Sequence, residues 1–589
     1  MNGLLFKKVD YSVGGLLENI DSGEIGLPDI QRPFVWDTTR VRDLFDSMYR
    51  GYPIGTLLFW ENGFPGEHRT IGTGTKQRIP RLLVVDGQQR LTALYAVMKG
   101  VRIVDKNFDQ KRLRIAFNPL EEKFEVTNTS IERDLNWIAD ISILWQEGFR
   151  LYDFIFDFMK RLEERRGLTE EERQRIPRSI QKLVNLVNYP MTALEISASA
   201  TEEQVSEIFV RINSRGRTLN QADFILTLMS VFWDEGRKEL EEFCRQAKNP
   251  PSDNRPSPYN PYFKPQPDQL LRVDVAMAFR RARLEHVYSI LRGKDLQTGE
   301  FSPERRDEQF DRLEEAQNEV LNLQNWHDFL KVVKRAGYIH PNLITSEMAL
   351  VYAYSLWLIG KQDFGLDQHT LRDLMARWFF MSSLTSRYSS SAETRMEQDL
   401  ALIRGCSSSE EFVRTLEQEI SAVLTNDYWN VTLPNELATA SARSPGQFAF
   451  FAALCLLDAP VLYSSMKVRD LLDPTSQPHR LAVERHHPFP RKYLEKLGIK
   501  DKHDINQVAN FALVEWRDNV DIGDRPPSDY APEYERRFPP ERLKEMYWYH
   551  ALPEAWYNMG YGTFLEERRR RMAEIIRKGF ESLKLELAV

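Results

Sequence analysis

Leu82-Leu83-Val84-Val85-Asp86-Gly87-Gln88-Gln89-Arg90 decides the reading of the N-terminal part of the chain. Leu82 to Val85 is an apolar run of strand length. Leu91 to Met98 continues as a helix pattern that stops at Gly100. Asp86 to Arg90 therefore sits at a strand-to-helix junction. Upstream, Thr56 to Trp60 reads as a second strand, approached through Gly51, Pro53 and Gly55. Downstream, Leu113 to Phe117 and Lys123 to Val126 read as a hairpin around Asn118-Pro119. Met191 to Ile196 reads as a further strand.

Beyond residue 128 the pattern turns helical. Thr169 to Glu172 and Thr201 to Gln204 have the form of capping boxes. The Pro-dense stretch from Pro250 to Pro267 reads as a loop or interdomain linker. Helical patterns follow around 268–295, 306–336, 344–360 and 366–424, with a break near Thr432 to Pro445. The longest apolar run, Phe448 to Leu457, is too short to span a bilayer and reads as a buried helix.

A chain of 589 residues is expected to hold two to four domains. Its net charge of −7 argues mildly against a dedicated nucleic-acid binder, although an acidic envelope can enclose a basic cleft. Arg568 to Arg571, preceded by Glu566 and Glu567, reads as a solvated helix face. Cys244, Cys406 and Cys455 lie far apart, which disfavours a disulfide framework or a cysteine-ligated zinc site. The first residues show no secretory pattern, so a cytoplasmic protein without a membrane span is expected.

Three polar clusters interrupt the apolar background: Gln31-Arg32-Pro33, Asp86 to Arg90, and Arg211-Ile212-Asn213. A sharp turn at a helix N-terminus presents backbone N–H groups to an anion. Gly87 permits the turn, Arg90 suits a phosphate, and Gln88 and Gln89 donate or accept. An Asp86–Arg90 pair that merely pins the turn explains the same residues. No Walker A loop is present.

These words resemble the DGQQR domain of the GmrSD family of modification-dependent restriction enzymes. The resemblance runs through Leu27 to Trp36, Arg50 to Trp60, Val85 to Thr92 and Phe209 to Leu219. It implies a ParB-like α/β core that binds or hydrolyses a nucleoside triphosphate, GTP or ATP, and senses modified DNA. Asp86, Gly87, Gln88, Gln89 and Arg90 would then line the pocket, with Gln31, Arg32, Arg211 and Asn213 nearby.

The last part of the chain carries Glu484-Arg485-His486-His487-Pro488-Phe489-Pro490, then Asn506 to Asn519. A metal-dependent phosphodiesterase needs a base for water and a cation for the phosphate. Histidines and carboxamides in this order supply both. The order resembles the HNH (ββα-metal) nuclease that accompanies the DGQQR domain in the GmrSD family. The resemblance makes His487 the general base, makes Asn510 the residue that helps fix it, and places His486 and Asn519 as metal ligands. His486 stands where the family has an acid, and Ala509 where glycine is common. The resemblance implies a divalent metal, Mg²⁺ or Mn²⁺; the first change shifts the preference toward Mn²⁺, Ni²⁺ or Zn²⁺ or else signals reduced activity, with Glu484 as a compensating acid. His479 and His503 read as bystanders. The aromatic and arginine residues from Tyr547 to Arg571 suit either a DNA groove or ordinary helix packing.

The expected fold class is α+β, mostly helical overall. Residues 1–245 form a DGQQR nucleotide-binding domain, 246–432 a helical bridge and 433–589 an HNH nuclease module embedded in helices. The expected activity is cleavage of double-stranded DNA, in particular modified phage DNA, under nucleotide control. The helical middle is expected to bridge the two or to form an oligomer interface such as a homodimer's. The rival reading is a nucleotide- or DNA-sensing binding protein with a dead nuclease, or an NTPase switch.

Overall fold

The computed structural model describes residues 4–26, 34, 36–61, 81–104, 110–200, 204–205, 208, 221–251, 255–294, 298, 302–473 and 485–583. Gln31, Arg32, Arg211, Asn213, His479, Glu484 and the start of the second capping box lie outside these residues. The chain forms two compact units, Met1–Asp234 and Glu235–Val589. The described fold is α+β and mostly helical.

The first unit is built on β1 (Phe6–Ser12), α1 (Val13–Asp21), β2 (Ile25–Gly26), α2 (Thr38–Tyr49), β3 (Leu57–Glu61), β4 (Leu82–Asp86) and α3 (Gln88–Lys99). Next come β5 (Arg102–Val104), β6 (Gln110–Arg112), β7 (Ile115–Asn118), β8 (Lys123–Val126), further helices and β9 (Pro190–Ile196). Five strands form one mixed sheet in the order β1-β9-β3-β4-β2. β1 runs antiparallel to β9, and β9 parallel to β3. One face of that sheet, with Leu57, Phe59, Leu82, Val84, Met191 and Ala193, packs on α1, α2 and α3 in the main core. Leu58 and Ile196 bury a smaller cluster on the other face with Ala200 and Val205.

Local rules explain the element ends. Ser12 caps α1 by accepting from the Gly15 N–H at 3.0 Å. Gly100 stops α3 in the left-handed conformation. The β7–β8 hairpin turns on Asn118, whose Oδ1 accepts from the N–H groups of Leu120 and Glu121. The Thr169–Glu172 capping box forms with both of its hydrogen bonds.

The second unit is a helical body with a small two-stranded ladder, β10 (Arg485–His486) against β11 (Ala512–Leu513). The apolar run from Phe448 lies in the buried helix Pro445–Leu456. No described helix is long and apolar enough to cross a membrane. The Pro-rich loop is packed into this unit. Asn260 is buried and holds the loop through Phe263 N–H and O, and Pro258 O accepts from the Trp326 indole at 2.9 Å.

The arginine run at 568–571 corrects the solvated-face expectation. Arg568 is wholly buried in helix Tyr561–Glu581. Its guanidinium donates to Ala509 O at 2.6 Å, to Phe511 O at 2.8 Å and to His550 O at 3.2 Å. Burial pushes Arg568 down to about 9. Arg569 reaches Gln507, and Arg571 pairs with Glu567. The run is a buried staple with surface neighbours, because remote carbonyls converge on its first member.

Two predictions follow from this packing. Arg568→Met strands three buried carbonyls, and urea unfolding of the second unit should lose roughly 3 kcal/mol or more. His550 is wholly buried, and burial pushes its imidazole from 6.5 down to about 4. The unfolded chain binds that proton near 6.5 and the folded chain does not. The stabilisation is therefore complete above pH 6.5 and is lost as pH falls toward 4. His550→Gln should flatten the fall of melting temperature over that window; an unchanged pH profile would contradict this assignment.

Candidate functional site

The DGQQR turn depends on two glycines. Gly87 caps α3 at φ +92°, and a Cβ there would lie 2.2 Å from Leu57 Cδ2. Gly55 has φ +90°, and a Cβ there would lie 2.5 Å from Arg90 Nη1. These clearances let Arg90 turn back across the mouth of β3. Its Nη1 donates to Ile54 O at 2.8 Å and its Nη2 to Thr56 O at 2.9 Å. Asp86 stands 3.6 Å from Arg90 Nη2. Burial lowers the Arg90 value, and Asp86 acts against that shift.

Arg90 thus pins β3 to the start of α3 through its own backbone contacts, which matches the turn-pinning alternative. Asp86, Gln88 and Gln89 are half-buried at the same turn. They leave the start of α3, with its backbone donors, beside a polar rim.

A polar cluster at the sheet edge escaped the sequence reading. Glu195 has the same strand parity as Met191 and Ala193, yet its side chain is 2% exposed. It accepts from Tyr11 and pairs with Lys7 at 3.0 Å. Lys7 also pairs with Glu61 at 2.6 Å, and Arg81 lies 3.8 Å from both carboxylates. Burial, then the Glu195 hydrogen bond, pushes Tyr11 up to about 12. The available signal was a carboxylate at a core-facing position of an apolar strand.

In the second unit, β10 carries His486 opposite Ala512 of β11. The chain leaves β11 into helix Trp516–Ile522, which carries Asn519. This brings His486 Nδ1 within 2.9 Å of Asn519 Oδ1. The other ring nitrogen lies 3.4 Å from the Tyr530 hydroxyl, which donates to Pro488 O at 2.7 Å. Burial pushes His486 down to about 4, which favours the neutral ring.

His487 is half-buried. Its Nε2 lies 3.1 Å from Asn506 Oδ1, and its ring packs on Phe511 at 4.6 Å between centroids. Asn510 is wholly buried. Its Oδ1 accepts from Phe489 N–H at 2.9 Å, and its Nδ2 donates to Phe489 O and Ile505 O at 3.0 Å. Asn510 therefore grips the loop two residues beyond His487. Asn506 is the side chain that meets His487; its place four residues before Asn510 was the signal for it.

The structure groups these residues in pairs, His486 with Asn519 and His487 with Asn506. One imidazole and one carboxamide oxygen suit a borderline ion better than Mg²⁺, which prefers an all-oxygen shell. Among the described residues, no group of three or more His, Cys, Asp or Glu side chains is placed to hold a metal.

The glycine clearances give a direct test of the N-terminal turn. Gly87→Ala should destabilise the first unit by about 2 kcal/mol or more, from the left-handed backbone and the Leu57 clash. Gly100→Ala should cost less, about 1 kcal/mol, because the nearest atom to its Cβ is 3.4 Å away. Equal losses in urea unfolding would contradict the clash.

Residues 13–230 match the family described as "GmrSD restriction endonuclease, N-terminal domain". An uncharacterized protein of Methanocaldococcus jannaschii is 24% identical over 564 residues, covering 88% of this chain and 86% of its own length. The family match falls within the first unit and includes β3, β4 and the DGQQR turn. Over that unit, the chain is similar to the N-terminal domain of a restriction endonuclease family.

Proposed function

We propose that the chain is a DNA endonuclease whose first unit controls cleavage by the His486–His487 site of the second. The observation that carries the cutting role is the His486–Asn519 contact at 2.9 Å between β10 and the helix after β11, with His487 next in sequence. The restriction-family match of the first unit supports DNA as substrate. A strand pair followed by a helix also agrees with an HNH-type site.

In this reading His487 takes a proton from water, and Asn506 orients its ring. Water oxygen bonds to phosphorus as the bond to the leaving sugar oxygen breaks, and that oxygen takes a proton from solvent, giving a phosphate monoester and a hydroxyl. Asn510 holds the Phe489 backbone and so the loop that aims His487. His486 and Asn519 would hold a divalent ion, Mn²⁺, Ni²⁺ or Zn²⁺ in preference to Mg²⁺, which supplies Lewis-acid stabilisation of the phosphate. Asp86, Gln88 and Gln89, with Gln31, Arg32, Arg211 and Asn213, would hold GTP or ATP. Arg90 contributes by fixing that turn. Modified phage DNA is the proposed target, in the cytoplasm.

One observation favours a second reading, binding without cutting: His486 and Asn519 hydrogen-bond to each other, and among the described residues no group of three or more His, Cys, Asp or Glu side chains is placed to hold a metal. Incubation with modified and unmodified DNA in Mn²⁺ separates the two. The endonuclease reading expects cleavage that falls by more than about 100-fold in His487→Ala. Retained binding, with no cleavage of either DNA by the wild type, would establish the second reading.

A further inference from the structure

A cavity of about 410 Å³ opens in the helical part of the second unit. Five cations line it: Arg281, Lys294, Arg305, Arg312 and Arg404. Among the described residues, no carboxylate lines it. Arg281, Arg312 and Arg404 outnumber the one carboxylate that pairs with them, Glu397, in a chain whose net charge is −7.

The surrounding structure holds several of these cations in place. Arg281 pairs with Glu397 at 2.7 Å, and Arg404 lies 3.9 Å from the same carboxylate. Glu397 also accepts from the N–H groups of Ala282 and Arg283, so one carboxylate answers for two arginines. Arg312 donates to a neutral group, Ala278 O, at 2.6 Å and lies over the Phe279 ring. Arg404 donates to Arg280 O at 3.2 Å.

The backbone adds an independent observation. Helix Pro267–Phe279 ends at Arg280 with φ +53°, a left-handed position that glycine or asparagine normally fills. Keeping an arginine there costs about 1 kcal/mol. The turn directs the Arg280 carbonyl to Arg404 and brings Arg281 to the cavity. Strain of this kind gathers where a site is being shaped.

The geometry points to a binding site for a nucleotide-sized polyphosphate. The cations would take the phosphate oxygens, with arginine forks favouring bidentate contact. Phe279 and Ile290 line the same cavity and offer an apolar wall to a base. The volume lies in the range of small-ligand cavities and is far too small to enclose a duplex. This site belongs to the second unit and is separate from the DGQQR turn. It does not depend on the proposed cleavage.

The test is calorimetric titration of the full chain with inorganic tripolyphosphate and with ATP. Wild type, Arg312→Glu/Arg404→Glu and Asp86→Ala are compared, with melting temperatures to confirm folding. Arg305→Glu serves if the double variant does not fold. Tripolyphosphate and ATP are each expected to bind at this site in the wild type and roughly tenfold or more weakly in the charge-reversed variant, whereas Asp86→Ala is expected to affect only the ATP held at the DGQQR turn. Unchanged affinity in a folded charge-reversed variant overturns the site, as does a wild type that binds neither probe. ATP binding abolished altogether in Asp86→Ala, with these arginines intact, would leave no second site and overturn this one. Single-stranded DNA that binds through these arginines while tripolyphosphate does not would also overturn it.

Discussion

The buried guanidinium of Arg568 is the interaction on which the candidate catalytic region depends. It gathers carbonyls from residues 509, 511 and 550 at one point. Asn510, between two of those carbonyls, grips the backbone at Phe489 and Ile505. The chain is thereby fixed two residues beyond His487 and again at Ile505, beside Asn506. A buried charge is costly unless each donor finds a partner, so this staple specifies one arrangement of the loops. That arrangement sets His486 against Asn519 and His487 against Asn506.

The first unit solves a similar problem with glycine. Gly55 and Gly87 vacate the space that Arg90 and Leu57 fill. Arg90 then spends two donors on the backbone of the β3 approach. The motif's arginine consequently shapes the turn, with the carboxamides of Gln88 and Gln89 beside it at the start of α3. Both constellations use an arginine, half-buried at 90 and wholly buried at 568, to organise backbone.

Much of this was legible where short-range rules dominate. Gly100 stops α3, Asn118 turns the β7–β8 hairpin, and the apolar run at 448 becomes a buried helix because each answer lies within a few residues. Arg568 was not legible. A run of arginines after two glutamates has the composition of a solvated face, and only carbonyls some 18 to 59 residues away reveal its burial. Asn510 was legible as part of the site, but its engagement with the backbone was not. Glu195 and the five cations of the helical cavity were missed for the same reason: strands or helices distant in sequence assemble them.

The most direct measurement is manganese binding by electron paramagnetic resonance on the full chain, the single variants His486→Ala and Asn519→Ala, and Asn510→Ala. The account predicts that the wild type immobilises the ion and that each ligand variant loses it. It also predicts weaker binding in a folded Asn510→Ala, through the loosened loop. Equal Mn²⁺ binding by wild type and both ligand variants, or none by the wild type, would contradict it.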